Sequence, residues 1–193
     1  RRLTGTDVSV AAVRTRADAL EPRVAALVDR AGGVFFGGGD QSRITAAILG
    51  TPVEEALRRA FARGAVVGGT SAGTACMSDP MITGEGDFSV LTAANVELVR
   101  GLGLFPGVIV DQHFVARQRQ NRLLSVILEH PELLGVGVDE ATAVWVRPDR
   151  TFEVLGQGWV MVFDAAPAEI RRKPRPGSEA LGVRGLLTHV LLP

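Results

Sequence analysis

The sequence predicts an α/β fold: a mostly parallel sheet sandwiched by helices, with an antiparallel C-terminal annex. Two observations carry this. As far as Val138, short and continuously apolar runs alternate with segments of helical periodicity, the pattern of parallel strands covered on both faces. From Thr142 onward helical periodicity gives way to strand-like runs separated by turn residues.

The elements follow in order. Thr6 to Val10 reads as an opening strand. A helix over Ala19 to Ala31 places Val24, Leu27 and Val28 on one stripe and ends at Gly32-Gly33. The strand Val34 to Phe36 runs into Gly37-Gly38-Gly39-Asp40-Gln41, and helices follow over Gln41–Leu49 and Pro52–Arg63, the second with proline in its first turn and Gly64 just beyond its end. Ala65 to Val67 is the next strand. Ser78 to Asn95 is polar and glycine-containing, a long loop bordering the glycine turns. Val108 to Val110 is a strand, Arg119 to Glu129 a helix burying Leu123, Leu124, Ile127 and Leu128, and Gly135 to Val138 a strand. The annex comprises Thr142–Val146, Thr151–Leu155 and Trp159–Phe163, with a last strand over Leu186–Leu192; Lys173-Pro174-Arg175-Pro176-Gly177 reads as an irregular exposed connection.

Composition narrows the function classes. The chain has 193 residues, 21 basic and 21 acidic, and 46% hydrophobic residues, enough for one domain with a buried core, here taken as residues 1–193. Zero net charge argues against a general nucleic-acid or membrane-surface role. No apolar run approaches the roughly 20 residues of a membrane-spanning helix. One cysteine, Cys76, excludes an internal disulfide and supplies no metal-binding set. It reads as packed behind the second glycine turn.

Chemistry enters with Gly68-Gly69-Thr70-Ser71-Ala72-Gly73. A strand that stops at glycine, presents one serine and leaves through another glycine has the form of a nucleophile elbow. A side chain at Gly69 or Gly73 would collide with the tightly folded backbone, and the N–H of Ala72, the residue after the serine, points toward a developing oxyanion. A neutral serine needs a base. Of three histidines, His113 follows a strand end, whereas His130 sits beside Pro131 at a helix end and His189 in the terminal strand. The base needs a carboxylate to orient it. Asp139 and Glu140 both stand at the next strand end and point to opposite faces, so one of them reaches His113 and the sequence alone leaves the choice open. The order serine, histidine, acid differs from that of ordinary α/β-hydrolases.

Four blocks, Phe35-Phe36-Gly37-Gly38-Gly39-Asp40-Gln41, Gly68-Gly69-Thr70-Ser71-Ala72-Gly73, Asp111-Gln112-His113-Phe114 with Arg117, Arg119 and Arg122, and Gly137-Val138-Asp139-Glu140-Ala141-Thr142, together resemble the cyanophycinases. These are serine peptidases of the family that also contains aspartyl dipeptidase (peptidase E), on a class I glutamine-amidotransferase-like, flavodoxin-like fold. Gly37 stands where threonine is common, and Thr74 replaces a small apolar residue. The resemblance implies Ser71 as nucleophile, His113 as base and Glu140 as orienting acid, with oxyanion donors at Ala72 and Gly39. It places Gln41, Asp111, Gln112, Arg117, Arg119 and Arg122 among substrate-binding residues, and it implies no metal or other cofactor.

The expected reaction is release of β-Asp-Arg dipeptides from cyanophycin, a poly-aspartate carrying arginine on each side-chain carboxyl; its carboxylates suit bidentate guanidinium contacts. Asp111, Gln41 and Gln112 would receive the arginine end. The alternatives are an aspartyl dipeptidase acting on short Asp-Xaa peptides and a catalytically inactive binding or scaffold fragment. Relatives carry an upstream strand-helix-strand portion, so the chain is expected to be N-terminally truncated. A homodimer is implied, and the location is expected to be cytoplasmic, with a secreted form left open.

Overall fold

In the computed structural model, which describes residues 7–193, the opening strand does not form. Thr6 lies outside the described residues, residues 7–10 are not in a strand, and Val8 and Val10 are exposed. The expected helix over 19–31 is two helices, α1 (Arg16–Leu20) and α2 (Pro22–Asp29). Thr15 caps α1 through a capping box with Asp18. Pro22 then holds Glu21 in an extended conformation (φ −68°, ψ 120°) and starts a second helix at its own N1 position.

Strand β1 (Gly33–Phe36) pairs in parallel with β2 (Val66–Gly69), and α3 (Gln41–Ile48) and α4 (Pro52–Ala62) lie between them in sequence. Asp40 caps α3 by accepting from the N–H groups of Ser42 and Arg43, and Thr51 caps α4. Ala56 and Leu57 of α4, Val28 of α2 and Ile48 of α3 form a core against Val34, Phe36 and Val67. The opposite face of this pair is open: Phe35 and Val66 are exposed.

After the short helix α5 (Ala72–Ala75), β3 (Met81–Ile82), inside the expected long loop, pairs antiparallel with β4 (Leu98–Val99), which follows that loop. A four-stranded sheet follows, built from β5 (Val108–Gln112), β6 (Leu134–Val138), β9 (Val160–Asp164) and β12 (Leu187–Leu191) in the order β12-β9-β6-β5. β5 and β6 are parallel; β9 and β12 run antiparallel. The expectation of a mostly parallel sheet therefore needs correction, since among the described residues only β1–β2 and β5–β6 pair in parallel. The architecture is mixed α/β.

The helical sandwich is also only partial for this sheet. One face packs against α6 (Gln120–Glu129) through Ile109, Leu123, Ile127 and Phe163. The other is covered by the hairpin of β7 (Thr142–Val146) and β8 (Phe152–Gly156), whose Val144, Val154 and Phe152 pack on Val110, Val136 and Val162. β9, expected in the annex, instead joins the main sheet between β6 and β12. Its Val160 and Val162 face the hairpin and its Phe163 the helix, as a strand buried on both sides requires.

A second hairpin, β10 (Glu169–Arg175) with β11 (Ser178–Arg184), occupies the segment read as an irregular connection. Only Pro176-Gly177 is the turn, with Gly177 at φ +72°. Pro174 is tolerated because β10 lies at an edge of its two-stranded sheet. No helix among the described residues is long and apolar enough to cross a membrane.

Candidate active site

The nucleophile turn is set by backbone contact. Thr70 N–H donates to Phe36 O (3.1 Å), tying the end of β2 to β1. The chain then reverses at Ser71, with φ 55° and ψ −120°, before entering α5. A Cβ on Gly69 would lie 2.1 Å from Gly73 O, and one on Gly73 would lie 2.3 Å from Phe36 O. Both positions therefore require glycine, as the sequence pattern implied. Thr74 Oγ1 donates to Gly69 O (2.8 Å) and locks α5 onto the strand end, a role sequence reasoning did not assign. Gly73→Ala is expected to cost at least about 1–3 kcal/mol, because the clash is with backbone that cannot rotate away. A urea melt equal to that of the parent would contradict this geometry.

His113 sits at the end of the fully buried strand β5, also at positive φ (52°). Four hydrogen bonds fix the strained turn. Arg119 Nη1 donates to Gln112 O (2.7 Å) and to Gln112 Oε1 (2.8 Å), and Asp111 Oδ1 accepts from Gln112 N–H (2.8 Å). Asp139 Oδ1 accepts from Ala116 N–H (3.0 Å). Phe114, fully buried, anchors the residue after the histidine.

From that base His113 reaches both ways. Its Nε2 is 2.8 Å from Ser71 Oγ, and its Nδ1 is 2.5 Å from Glu140 Oε1. The structure therefore brings Glu140, and not Asp139, to the histidine. A carboxylate at Nδ1 keeps the proton there, which leaves Nε2 able to accept from the serine hydroxyl. Asp139, the competing carboxylate, holds the loop backbone instead. Its position was legible as the opposite face of the strand; its partner was not.

The triad opens into a cavity of about 420 Å³ lined among others by Thr70, Thr74, Gln112, Ala143 and Leu155. Of the two expected oxyanion donors, Ala72 directly follows the nucleophile. Ala72 is the first residue of α5, where helix geometry supplies no acceptor for its N–H. In the first glycine turn it is Gly38 that lies against Ser71, its Cβ direction 3.4 Å from Ser71 Cβ; Gly39 is one residue further, at φ +133°.

The polar residues expected to bind substrate are arranged differently from an open basic face. Only Gln112 lines the triad cavity. Arg122 and Asp111 are each 1% exposed and pair with each other, Arg122 Nε donating to Asp111 Oδ2 (2.8 Å) and Nη2 to Oδ1. The Phe88 ring lies over the Arg122 guanidinium, 4.6 Å away. Gln41 is buried and its Nε2 donates to Ile82 O (3.0 Å). Arg119 grips Gln112, and burial together with the nearby charge of Arg122 holds its pKa below the usual guanidinium value. Arg117 is exposed. His130 and His189 lie elsewhere, at the end of α6 and in β12.

Cys76 is fully buried behind the elbow and its Sγ contacts Gly73 O at 3.2 Å. Burial pushes the thiol up to about 12, so it is protonated and unreactive at neutral pH. A disulfide-exchange reagent is expected to leave it untouched in the native state and to titrate one thiol after denaturation; rapid native reaction would contradict the packing. Among the described residues no group of three or more histidine, cysteine or acidic side chains is arranged to hold a metal.

Comparison with known proteins gives consistent relatives. The model of peptidase family S51 matches residues 2–154. The cyanophycinase of Trichormus variabilis is 38% identical over 186 residues, 95% of this chain and 62% of its own. That of Synechococcus elongatus is 38% identical over 187 residues, 96% of this chain and 58% of its own. The chain thus spans about three fifths of the length of these curated relatives. The crystal structure of a peptidase from an acI-B1 Actinobacterium has the same fold, with a TM-score of 0.67 at 24% identity, over 82% of this chain and 64% of that one.

Proposed function

This chain belongs to peptidase family S51, and on that premise we propose that it is a serine-type exopeptidase acting on cyanophycin, on a class I glutamine-amidotransferase-like fold comprising residues 1–193. The observation that carries the reading is the continuous contact from Ser71 through His113 to Glu140, at 2.8 and 2.5 Å. Two of its members sit on backbone at positive φ, a conformation costing on the order of 1–3 kcal/mol that concentrates at functional sites.

In the mechanism that follows, His113 Nε2 takes the hydroxyl proton of Ser71 as Oγ bonds to the scissile main-chain carbonyl carbon. The oxyanion is met by the N–H of Ala72 and a second N–H from Gly37–Gly39. Glu140 stabilises the imidazolium, which then protonates the departing amine as the C–N bond breaks. Water, deprotonated by His113, attacks the resulting acyl ester; the acyl C–Oγ bond breaks, His113 returns the proton to Ser71 Oγ, and the acyl half leaves as a carboxylate, completing release of β-Asp-Arg. Gln112 meets substrate in the cavity, the exposed Arg117 is the arginine of the cluster open to a substrate carboxylate, and Arg119, Asp111, Arg122 and Gln41 hold the backbone around Gln112 and Ile82.

Incubation of purified protein with cyanophycin is expected to release β-Asp-Arg, read by chromatography, more efficiently than it cleaves Asp-Xaa dipeptides. The reverse preference would make it an aspartyl dipeptidase. No release together with no labelling of Ser71 by a fluorophosphonate probe in folded protein would sink the catalytic reading.

A further inference from the structure

The triad cavity does not end at the triad. Ala143 of β7 and Leu155 of β8 line it and are directly opposite each other in the hairpin register. Alternation turns Val144 and Val154 inward onto the sheet, so the next outward pair along the hairpin is Trp145 opposite Glu153. Beyond it stands Arg147, whose guanidinium lies 5.5 Å from the centroid of the Trp145 ring and pairs with Glu153. Leu155 is 46% exposed and Trp145 is 54% exposed. A large aromatic surface and a charge pair therefore lie in line with the site on a face the protein's own core does not cover.

Resting on the cyanophycin reading, we propose that this outward face of β7–β8 is a docking track for the unreacted length of an extended zwitterionic chain, an aspartate backbone whose branches each end in guanidinium and carboxylate. Three features fit that occupant. The track is continuous with the cavity through Ala143 and Leu155. Successive outward pairs on a hairpin are spaced about 7 Å apart, the same repeat as alternate residues of an extended polymer. Each charged group of a branch also has a counterpart by exchange: its guanidinium can take the place of Arg147 on the Trp145 face and Glu153, and the released Arg147 can grip its carboxylate bidentately. Further units of a polymer would occupy this row while its end is at Ser71, so the track favours polymer over short peptides.

The test compares polymer with a two-unit fragment. Trp145→Ala is expected to raise the polymer KM about three- to tenfold and to lower the ratio of polymer to fragment kcat/KM by a similar factor. Trp145→Phe should recover part of the loss. Phe61→Ala, removing an exposed aromatic on α4, is the surface control and should retain the wild-type ratio. In the Ser71→Ala background, co-sedimentation with insoluble polymer should weaken when Trp145 is also removed. If wild type degrades polymer and Trp145→Ala keeps both the ratio and the sedimentation, the track is wrong and the proposed function stands. If wild type neither degrades nor sediments with polymer, both are wrong. Sedimentation that depends on Trp145 without hydrolysis would keep the track and remove the catalytic reading.

Discussion

Ser71→Ala is expected to abolish hydrolysis, by on the order of 10⁴- to 10⁶-fold in kcat, with the fold intact. The size follows from the way the triad acts as a unit. Without Oγ the 2.8 Å contact to His113 Nε2 has no attacking atom, and what remains is positioning and oxyanion stabilisation of a water attack. The fold should survive because the elbow is shaped by Gly69, Gly73 and the Thr74 contact rather than by the serine side chain. Relief of the positive φ at position 71 is not offered by alanine, which suffers the same steric restriction as serine. Glu140→Gln should be milder, since the Glu140 side chain is 57% exposed and water can partly replace it beside the imidazolium. Initial-rate assays on the two variants, with circular dichroism to verify folding, read this order directly. A Glu140→Gln protein more damaged than Ser71→Ala, or an active Ser71→Ala, would remove the relay from the mechanism.

The parts of this site that were legible in the sequence are those fixed by local backbone chemistry. Gly69 and Gly73 announced the elbow because nothing larger fits against Gly73 O and Phe36 O, and Pro52 and Gly64 bracketed α4 through their own dihedral preferences. The choice between Asp139 and Glu140 depended on which face of β6 meets His113, a tertiary fact, and only the family resemblance anticipated it. The broken first helix was readable in principle, since Pro22 disfavours a helical Glu21; the stripe of Val24, Leu27 and Val28 outweighed it. β9 was misplaced because strand order in space is not strand order in the chain. Its run Val160-Met161-Val162-Phe163 is continuously apolar, the mark of a strand buried on both faces, and that signal favoured the main sheet over an annex. The arrangement of the arginines follows an electrostatic rule that sequence order does not display. Arg119 and Arg122 follow the histidine as a basic cluster, but Asp111 lies beneath them on β5, and a guanidinium brought into the interior with a carboxylate nearby pairs with it.

Breaking that pair should be the largest stability effect in the molecule. Arg122→Met would leave the Asp111 carboxylate buried without its bidentate partner, at a cost of about 3–5 kcal/mol, against a total stability for a domain of roughly 5–15 kcal/mol. The Asp111→Leu, Arg122→Met double variant should be much less damaged, because a buried ion pair replaced by apolar groups of similar volume is often near neutral. Urea denaturation of the two variants measures the difference, and equal losses would mean the pair is not the coupled unit that the geometry indicates. Activity should separate from stability here. Asp111 Oδ1 also accepts the N–H of Gln112, the residue before His113, and Arg119 grips that same residue. The double variant is therefore expected to refold well but to lose kcat, since the Gln112 N–H would lose its side-chain acceptor and the turn into His113 would be left to the Arg119 contact and the β5–β6 ladder. Retention of full activity in a stable double variant would show that Arg119 alone fixes the histidine.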